Sequence, residues 1–183
     1  MLAAQREATY ARRARVLRAD AASLREDSLE LSQQVAQQIL SANLRDGSGD
    51  AAAAEKAATK LRQFFPNIGV GAAELSGAGC EARVAAAVAA AFEAKCAELD
   101  AVRDGLSAES QRFLALTQID TLWKAHMKAM GYVKDFAGLK VYAQEDPLDV
   151  YRSEGIKLFD AMQTAYAVNT VFSFFMYEPQ AKT

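Results

Sequence analysis

Few residues of this chain have types and spacing that could do chemistry. His126 is the single histidine, and Cys80 and Cys96 are isolated, without Cys-x-x-Cys spacing. A zinc site would need more ligands than these three. The favoured interpretation is two free, reduced thiols, with a disulfide as the alternative. The histidine is interpreted as a packed or partner-facing residue rather than a catalyst.

Acid–base catalysis and nucleotide binding are the other chemical possibilities. Asp120 and Glu154 could form an acid–base pair, but carboxylates on helix surfaces are the default interpretation. No glycine precedes a lysine, so the Gly-x-x-x-x-Gly-Lys-Ser/Thr loop that cradles phosphates is missing. Two Gly-x-Gly pairs within residues 69–79 do not complete a dinucleotide-binding pattern. The sequence therefore predicts no catalytic, cofactor or metal site.

Helices are the elements that would carry any function. In two stretches, apolar side chains recur every three or four residues, which places each set on one face of an α-helix. The first set is Phe113, Leu116, Ile119, Trp123, Met127, Met130 and Val133, and the second is Tyr151, Gly155, Leu158, Met162, Tyr166, Asn169 and Phe172. Gly138 lies between them. The short connection predicts antiparallel neighbours.

The second of these helices has a clear start signal. Asp146 stands at the N-cap position and Pro147 at the first helical position, where its missing N–H costs nothing. Asp149 adds a carboxylate to the first turn, where the helix dipole favours negative charge. We therefore expect the second helix to begin at this point.

Composition favours an all-α fold. Half of the residues are apolar, alanine is frequent, and proline occurs only three times. A formal net charge of −2 gives no overall attraction to nucleic acid or anionic membranes. The best apolar run, residues 84–92, is far short of the roughly 20 residues that a membrane-spanning helix requires.

The N-terminal segment is rich in arginine. Residues 1–18 contain five arginines against one acidic residue, a pattern found in organelle transit peptides and on basic helix faces. We favour a helix face, and the apolar spacing predicts that this helix continues through Ile39. Turn-forming residues at 46–50 then end it. Further helices are predicted over residues 51–65 and 81–104.

Several motifs together resemble one known family. The pattern Ile119-Asp120-x-x-Trp123-x-x-His126-x-x-x-Met130-x-Tyr132 resembles the first finger helix of SecA, the motor ATPase of preprotein export. Residues 139–147 (LKVYAQEDP) are similar to that family's fingertip loop. Tyr151, Glu154, Phe159 and Met162 fit the helix that follows. Upstream, Gln5-Arg6-x-x-x-Tyr10-x-x-Arg13-x-x-x-Leu17 and Phe64-Phe65-Pro66 are similar to the family's helical wing.

The resemblance implies an architecture and a division into three parts. The expected fold is all-α, a helical wing bundle followed by an antiparallel two-helix finger. Residues 1–45 would form a long basic helix entering the wing, 46–106 the rest of the wing, and 107–183 the helical scaffold with its finger. The chain is expected to be a fragment or a truncated relative, without the family's motor domains.

The resemblance also implies which residues would matter. At the fingertip, the residues expected to contact a preprotein or channel are Lys140, Tyr142, Gln144 and Glu145. The expected structural anchors are Trp123, Met130, Pro147 and Phe159. ATP and Mg would bind the complete family protein, not this chain. Expected partners are a preprotein, a Sec-type channel and the motor domains, with peripheral membrane association and no nucleic acid.

This sequence departs from the family pattern at three places. Gly131 replaces the usual Asp of Met-Asp-Tyr, and residues 135–137 (DFA) replace the common Gln-Gly-Ile. Glu145 stands where Lys or Arg is usual, which reverses one charge at the fingertip.

The ending at residues 172–179 resembles the plastid branch of the family. The expected compartments are therefore the bacterial cytoplasm or the plastid stroma, at the membrane surface.

The resemblance implies a role in moving unfolded preproteins across a membrane, driven by ATP that is bound elsewhere. The alternative is a stand-alone helical adaptor that binds a partner through the finger and has no motor activity. Trp123 is expected to be buried against Leu158 or Met162. Tyr142 is expected to act at the tip, and the alternative is a ring that folds back and plugs the end of the hairpin.

Overall fold

Helices make up the fold throughout the part of the chain that the structure describes. This computed structural model describes residues 1–44, 51–75, 77, 79–139 and 146–179, and none of these residues lies in a β-strand. The helices are α1 (Leu2–Arg18), α2 (Ala21–Asn43), α3 (Ala51–Phe64), α4 (Ala72–Leu75), α5 (Cys80–Val102), α6 (Leu106–Leu139) and α7 (Pro147–Phe175). The predicted all-α class is confirmed.

The N-terminal segment forms two helices, so the prediction of a single helix over residues 1–45 is wrong. Ala19 is extended, with ψ of 140°, and Asp20 then caps α2 by accepting a hydrogen bond from Ser23 N at 2.8 Å. This hydrogen bond lowers the pKa of Asp20, because it favours the ionised carboxylate. The spacing of apolar residues did not reveal the break at Ala19 and Asp20, because the helical period continues on both sides of the N-cap.

The helices belong to two compact units. Unit 1 consists of Met1–Ala19 and Arg112–Asn169, and unit 2 consists of Asp20–Gln111 and Thr170–Thr183. Both α6 and α7 therefore contribute residues to each unit. The units divide the chain at other positions than the three domains inferred from the sequence, and those domains stay a prediction.

Phenylalanine rings form the centre of unit 2. Phe65 and Phe92 are fully buried. The Phe65 ring lies 4.9 Å from the ring of Phe175, and the Phe92 ring lies 5.4 Å from that of Phe174. Such pairs add about 0.5–1.5 kcal/mol each beyond the burial of apolar area. In the same unit, α2 packs against α5 and α3, and α3 packs against α4.

The predicted apolar face of α6 is correct at its centre and wrong at its start. Ile119 and Met130 are buried, as expected, but Phe113 is 64% exposed. Ala115 and His126 are buried with them. The buried face of α6 depends on which helices pack against it. Ala115 and His126 are therefore buried although neither belongs to the predicted apolar set.

The predicted face of α7 is also wrong near its end. Asn169 and Phe172 are exposed, whereas Val171, Phe174 and Phe175 are buried. From Thr170 onward α7 belongs to unit 2, while the helix up to and including Asn169 belongs to unit 1. Because α7 contributes residues to the cores of both units, its buried face changes along the helix. A single period of apolar residues does not predict such a change.

Two contacts in unit 1 agree with antiparallel packing of α6 and α7. The rings of His126 and Phe159 lie 5.7 Å apart. Met130, one turn later on α6, approaches Gly155, one turn earlier on α7: a Cβ atom placed on Gly155 would lie 3.0 Å from Met130 Cε. The contacts run in opposite directions along the two helices, as antiparallel neighbours require. The antiparallel finger itself stays a prediction that these contacts support.

Both cysteines are free thiols. Cys80 is partly exposed and Cys96 is buried. Burial raises the pKa of Cys96, whose Sγ accepts a hydrogen bond from Gln111 Nε2 at 3.5 Å. Within the described ranges, no group of three metal-ligating side chains could hold an ion. None of the helices described is long and apolar enough to cross a membrane.

Candidate functional site

The predicted fingertip residues Lys140, Tyr142, Gln144 and Glu145 lie outside the described residues. On either side of them, α6 ends at Leu139 and α7 begins at Pro147. The predicted start of α7 is confirmed, because Asp146 Oδ1 accepts a hydrogen bond from Leu148 N at 2.8 Å. The roles of the four residues stay predictions, and the candidate site is the helix pair that carries them.

The four predicted anchors differ in how deeply they are buried. Met130 is 2% exposed, whereas Trp123, Pro147 and Phe159 are partly exposed. The Trp123 ring lies 6.2 Å from the ring of Tyr10 on α1. The sequence predicts a partner for Trp123 on α7, whereas the structure also places α1, the third helix of unit 1, against this ring.

A buried polar junction joins α1 to both helices of the pair. Gln5 Nε2 donates a hydrogen bond to the carbonyl oxygen of Gly155 on α7 at 3.0 Å. Gln5 Oε1 lies 3.1 Å from Nε2 of His126 on α6. Only 6% of Gln5 and 4% of His126 are exposed. We call these three residues the polar junction. One side chain of α1 thus contacts two helices that are both far from α1 in sequence.

Aromatic rings surround the imidazole of His126. The ring of Trp123 lies 5.5 Å away, and that of Phe159 lies 5.7 Å away. Burial lowers the pKa of His126 below its ordinary value, because charging the ring in this environment costs solvation. Within the described part of the chain, Nδ1 is buried without a hydrogen-bond partner. The arrangement therefore holds a neutral imidazole, and of the two alternatives predicted for His126, packed or partner-facing, the structure shows the packed one.

Arginines of α1 make further contacts in unit 1. The guanidinium of Arg12 lies over the Tyr166 ring, 4.9 Å from its centroid, and also donates to Gln163. Arg13 binds Asp120 through two hydrogen bonds, of 2.8 and 3.3 Å. The structure therefore agrees with the helix-face interpretation of the arginine-rich segment. These contacts clamp α1 onto α6 and α7.

Gly155 allows a close approach at the polar junction. A Cβ atom at this position would lie 2.9 Å from Met1 Sδ, closer than real Cβ contacts come, and would also press on Met130. A residue with a side chain would therefore displace these neighbours.

The proposed acid–base carboxylates are not brought together as a pair. Asp120 is paired with Arg13, and Glu154 is paired with Lys157 at 2.8 Å. All four side chains are well exposed. These are ordinary surface ion pairs, which suit ionised carboxylates rather than a shared proton. The described part of the site is therefore a helix pair held against α1.

Sequence reasoning identified His126 as packed but missed Gln5 as its partner. Gln5 lies in the upstream motif, but a glutamine in a helix gives no signal that it will be buried. The two polar residues are separated by 121 positions in the chain. Their pairing follows only from how α1 packs on α6, which no local pattern specifies.

Comparisons with known proteins agree with the resemblance. The family described as the SecA Wing and Scaffold domain matches residues 1–178. The chain is similar to the protein translocase subunit SecA of Synechococcus elongatus, with 34% identity over 181 residues. That alignment covers 96% of this chain and 19% of the relative.

Two further relatives extend the comparison. The chloroplastic protein translocase subunit SecA of Ostreococcus lucimarinus is 34% identical over 190 residues, which cover 98% of this chain and 20% of the relative. The protein translocase subunit SecA of Synechococcus sp. (strain CC9605) is 42% identical over 91 residues, covering 50% of this chain and 10% of the relative. The chain spans about a fifth of the length of the first two relatives.

Proposed function

The chain belongs to the SecA wing and scaffold family, and we propose that it contributes the two-helix finger to ATP-driven movement of preproteins across a membrane. The observation that carries this proposal is the clamped helix pair. α6 and α7 are joined to α1 by the polar junction, and residues 139–147, which include the segment between the two helices, resemble the family's fingertip loop in sequence.

A clamped helix pair is suited to transmitting movement. Buried contacts and directional hydrogen bonds fix α1, α6 and α7 together in unit 1, so a displacement applied to one helix is passed to the others. The motor domains outside this chain would supply the displacement by hydrolysing ATP with Mg. Tyr142 would then push or hold the preprotein, because an aromatic ring offers a large contact surface that tolerates many sequences.

The partners follow from the same proposal. They are a preprotein, a Sec-type channel and the motor domains, with the protein at the membrane surface in a bacterial cytoplasm or a plastid stroma. The relatives are translocase subunits, one of them chloroplastic, which supports these assignments. Because the phosphate-binding loop is missing, we expect no nucleotide binding by the purified chain. Calorimetric titration with ATP and Mg checks this, and micromolar binding would contradict it.

A chimera tests the proposed function. Residues 1–178 of this chain replace the wing and scaffold of the Synechococcus elongatus SecA, and ATP-driven transport of a preprotein into membrane vesicles is measured. We expect the chimera to transport, and Tyr142→Ala to reduce transport sharply without changing the melting temperature. Phe113→Ala, at an exposed position of α6, is the matched control and should have no effect on transport.

The chimera also separates the proposal from the adaptor alternative. A folded chimera that hydrolyses ATP but moves no preprotein would contradict the finger role and favour an adaptor. A fall of many degrees in the melting temperature of Tyr142→Ala would show that this ring is a structural plug. Glu145→Lys restores the family's usual charge and should raise transport if the tip meets an anionic surface.

A further inference from the structure

We propose that Gln5 is a positioning residue, which fixes the register of α6 against α7 by binding both helices through one side-chain amide. The inference concerns unit 1 of this chain. It rests on the proposed function only in identifying that helix pair as the finger.

The direction of each hydrogen bond in the polar junction can be worked out from the groups present. The carbonyl of Gly155 can only accept, so the Gln5 atom that lies 3.0 Å from it must be the NH₂ nitrogen. The amide oxygen of Gln5 then points to His126 Nε2, at 3.1 Å. Because that oxygen can only accept, Nε2 must carry the proton. Gln5 therefore selects the Nε2–H tautomer of the imidazole.

Both contacts depend on the axial position of each helix. A slide of α7 by one residue moves the Gly155 carbonyl by about 1.5 Å along the axis and turns it away, because each helical residue rises and rotates by a fixed amount. The amide of Gln5 cannot follow while it also holds His126. All of these groups are buried, so water does not replace a lost partner, and a shifted register leaves polar atoms unsatisfied.

The apolar contacts around the junction do not fix the register equally well. Methionine side chains are flexible and adapt to shifted neighbours, and Met1 and Met130 are the side chains that approach Gly155. The rings of Trp123 and Phe159 contact His126 without a directional bond. Within the junction, the amide of Gln5 is the group that makes two directional hydrogen bonds.

Two substitutions separate the functions of the amide. Gln5→Leu removes both hydrogen bonds and keeps a similar volume. Gln5→Glu keeps an acceptor for His126 but loses the donor for Gly155, and it places a carboxylate beside the imidazole. Gln37→Glu, at an exposed position of α2, is the matched control for added charge. Circular dichroism and thermal melting show whether each variant is folded.

Nuclear magnetic resonance of the full chain reads out the junction. His126 is the single histidine, so its ring nitrogens give one unambiguous set of ¹⁵N signals, and five methionines give five methyl signals.

In the unmodified chain we expect the Nε2–H tautomer and an NOE between the Met130 methyl and the Gly155 backbone. Gln5→Leu should lose the NOE and mix the tautomers. Gln5→Glu should raise the pKa of His126 by about one unit or more, because a nearby carboxylate favours the charged ring, and Gln37→Glu should not.

Other results would overturn the inference. An Nδ1–H tautomer in the unmodified chain, or an unchanged pKa of His126 in Gln5→Glu, would show that the Gln5 amide does not hold the ring. An unchanged NOE in folded Gln5→Leu would show that apolar packing alone sets the register. If Gln5→Leu does not fold, Gln5→Glu decides: retention of the NOE there would contradict a role for the bond to Gly155.

These measurements need no transport activity, so they are independent of the test of the proposed function. An inactive chimera together with the expected NMR results would contradict the proposed function and leave Gln5 as the positioning residue of the helix pair. An active chimera together with an unchanged register in Gln5→Leu would contradict the positioning role of Gln5 and leave the proposed function intact. The two failures are therefore distinguishable.

Discussion

In unit 2, Phe65 and Phe92 are fully buried among other phenylalanine rings, whereas the polar junction of unit 1 buries a glutamine and a histidine. Apolar burial stabilises without regard to direction and depends on volume. A buried amide and imidazole stabilise only when both partners are present and correctly oriented. The two units are therefore expected to respond to different perturbations.

One helical chain thus contains a unit that is stabilised by apolar packing and a unit whose helices are oriented by hydrogen bonds. Unit 2 should be more sensitive to the loss of ring volume than to changes of salt. Unit 1 should be sensitive to the loss of single polar atoms and to protonation of His126.

Removing a ring from the centre of unit 2 should have the largest effect. Phe92 is fully buried, and its ring lies near those of Phe174 and Phe175. We expect Phe92→Ala to lower the free energy of unfolding by about 3–5 kcal/mol, because lost burial and a residual cavity both contribute. Urea unfolding followed by circular dichroism measures this. The control is Phe113→Ala, at an exposed position, with an expected change within about 0.5 kcal/mol. Similar losses in both variants would contradict a ring-dependent core.

The indole of unit 1 should matter less than a core ring. Because Trp123 is only partly buried, we expect Trp123→Ala to cost about 1–3 kcal/mol, less than the roughly 3–5 kcal/mol of a fully buried tryptophan. A double-mutant cycle with Tyr10→Ala should give a coupling of about 0.5–1.5 kcal/mol from the edge-to-face ring contact. Chemical unfolding of the four proteins gives both numbers. A coupling of zero would show that α1 does not pack on α6 through these rings.

Acidification should weaken unit 1 through His126. Its pKa is lowered in the folded chain, so below about 6.5, the value of an unperturbed histidine, the unfolded state binds a proton that the folded state does not. Stability is therefore greatest above this pH and falls as the pH drops through it. The groups that contact the ring, Gln5, Trp123 and Phe159, are uncharged and do not offset the loss.

The fluorescence of Trp123, the single tryptophan, reports the unfolding of unit 1 at each pH. His126→Gln keeps a polar side chain that does not titrate, and it should remove the part of the pH dependence that lies near and below 6.5. Equal pH dependence in the two proteins would show that His126 is accessible to protons in the folded chain.

Exposed ion pairs should have the smallest effect, and an equal one in both units. Arg13 pairs with Asp120 in unit 1, and Arg25 pairs with Glu93 in unit 2, each through two hydrogen bonds between exposed side chains. Solvent screens such pairs. We expect Arg13→Ala and Arg25→Ala to shift the melting temperature only slightly at low salt and not measurably at high salt. A large, salt-independent shift for Arg13→Ala alone would show that solvent does not screen its pair with Asp120.

Particular residues show how far sequence reasoning reached. The period of apolar residues predicted α6 and α7, and Asp146 with Pro147 gave the start of α7, because these signals are local. The break at Asp20 was missed, although an N-cap residue stood there, because the pattern around it continued. The exposure of Phe113 and the burial of Gln5 depend on which helices pack together. That is a tertiary property, and no residue pattern within one helix contains it.

The measurement that tests the account most directly is a cross-link from position 142. In the transport-active chimera, a photoreactive amino acid replaces Tyr142, and a preprotein is stalled during ATP-driven transport. The account predicts an adduct with the preprotein that requires ATP, and none from the same group at the exposed position 113. A chimera that continues to transport while position 142 gives no adduct would contradict the assignment of this helix pair as the finger that contacts the moving chain.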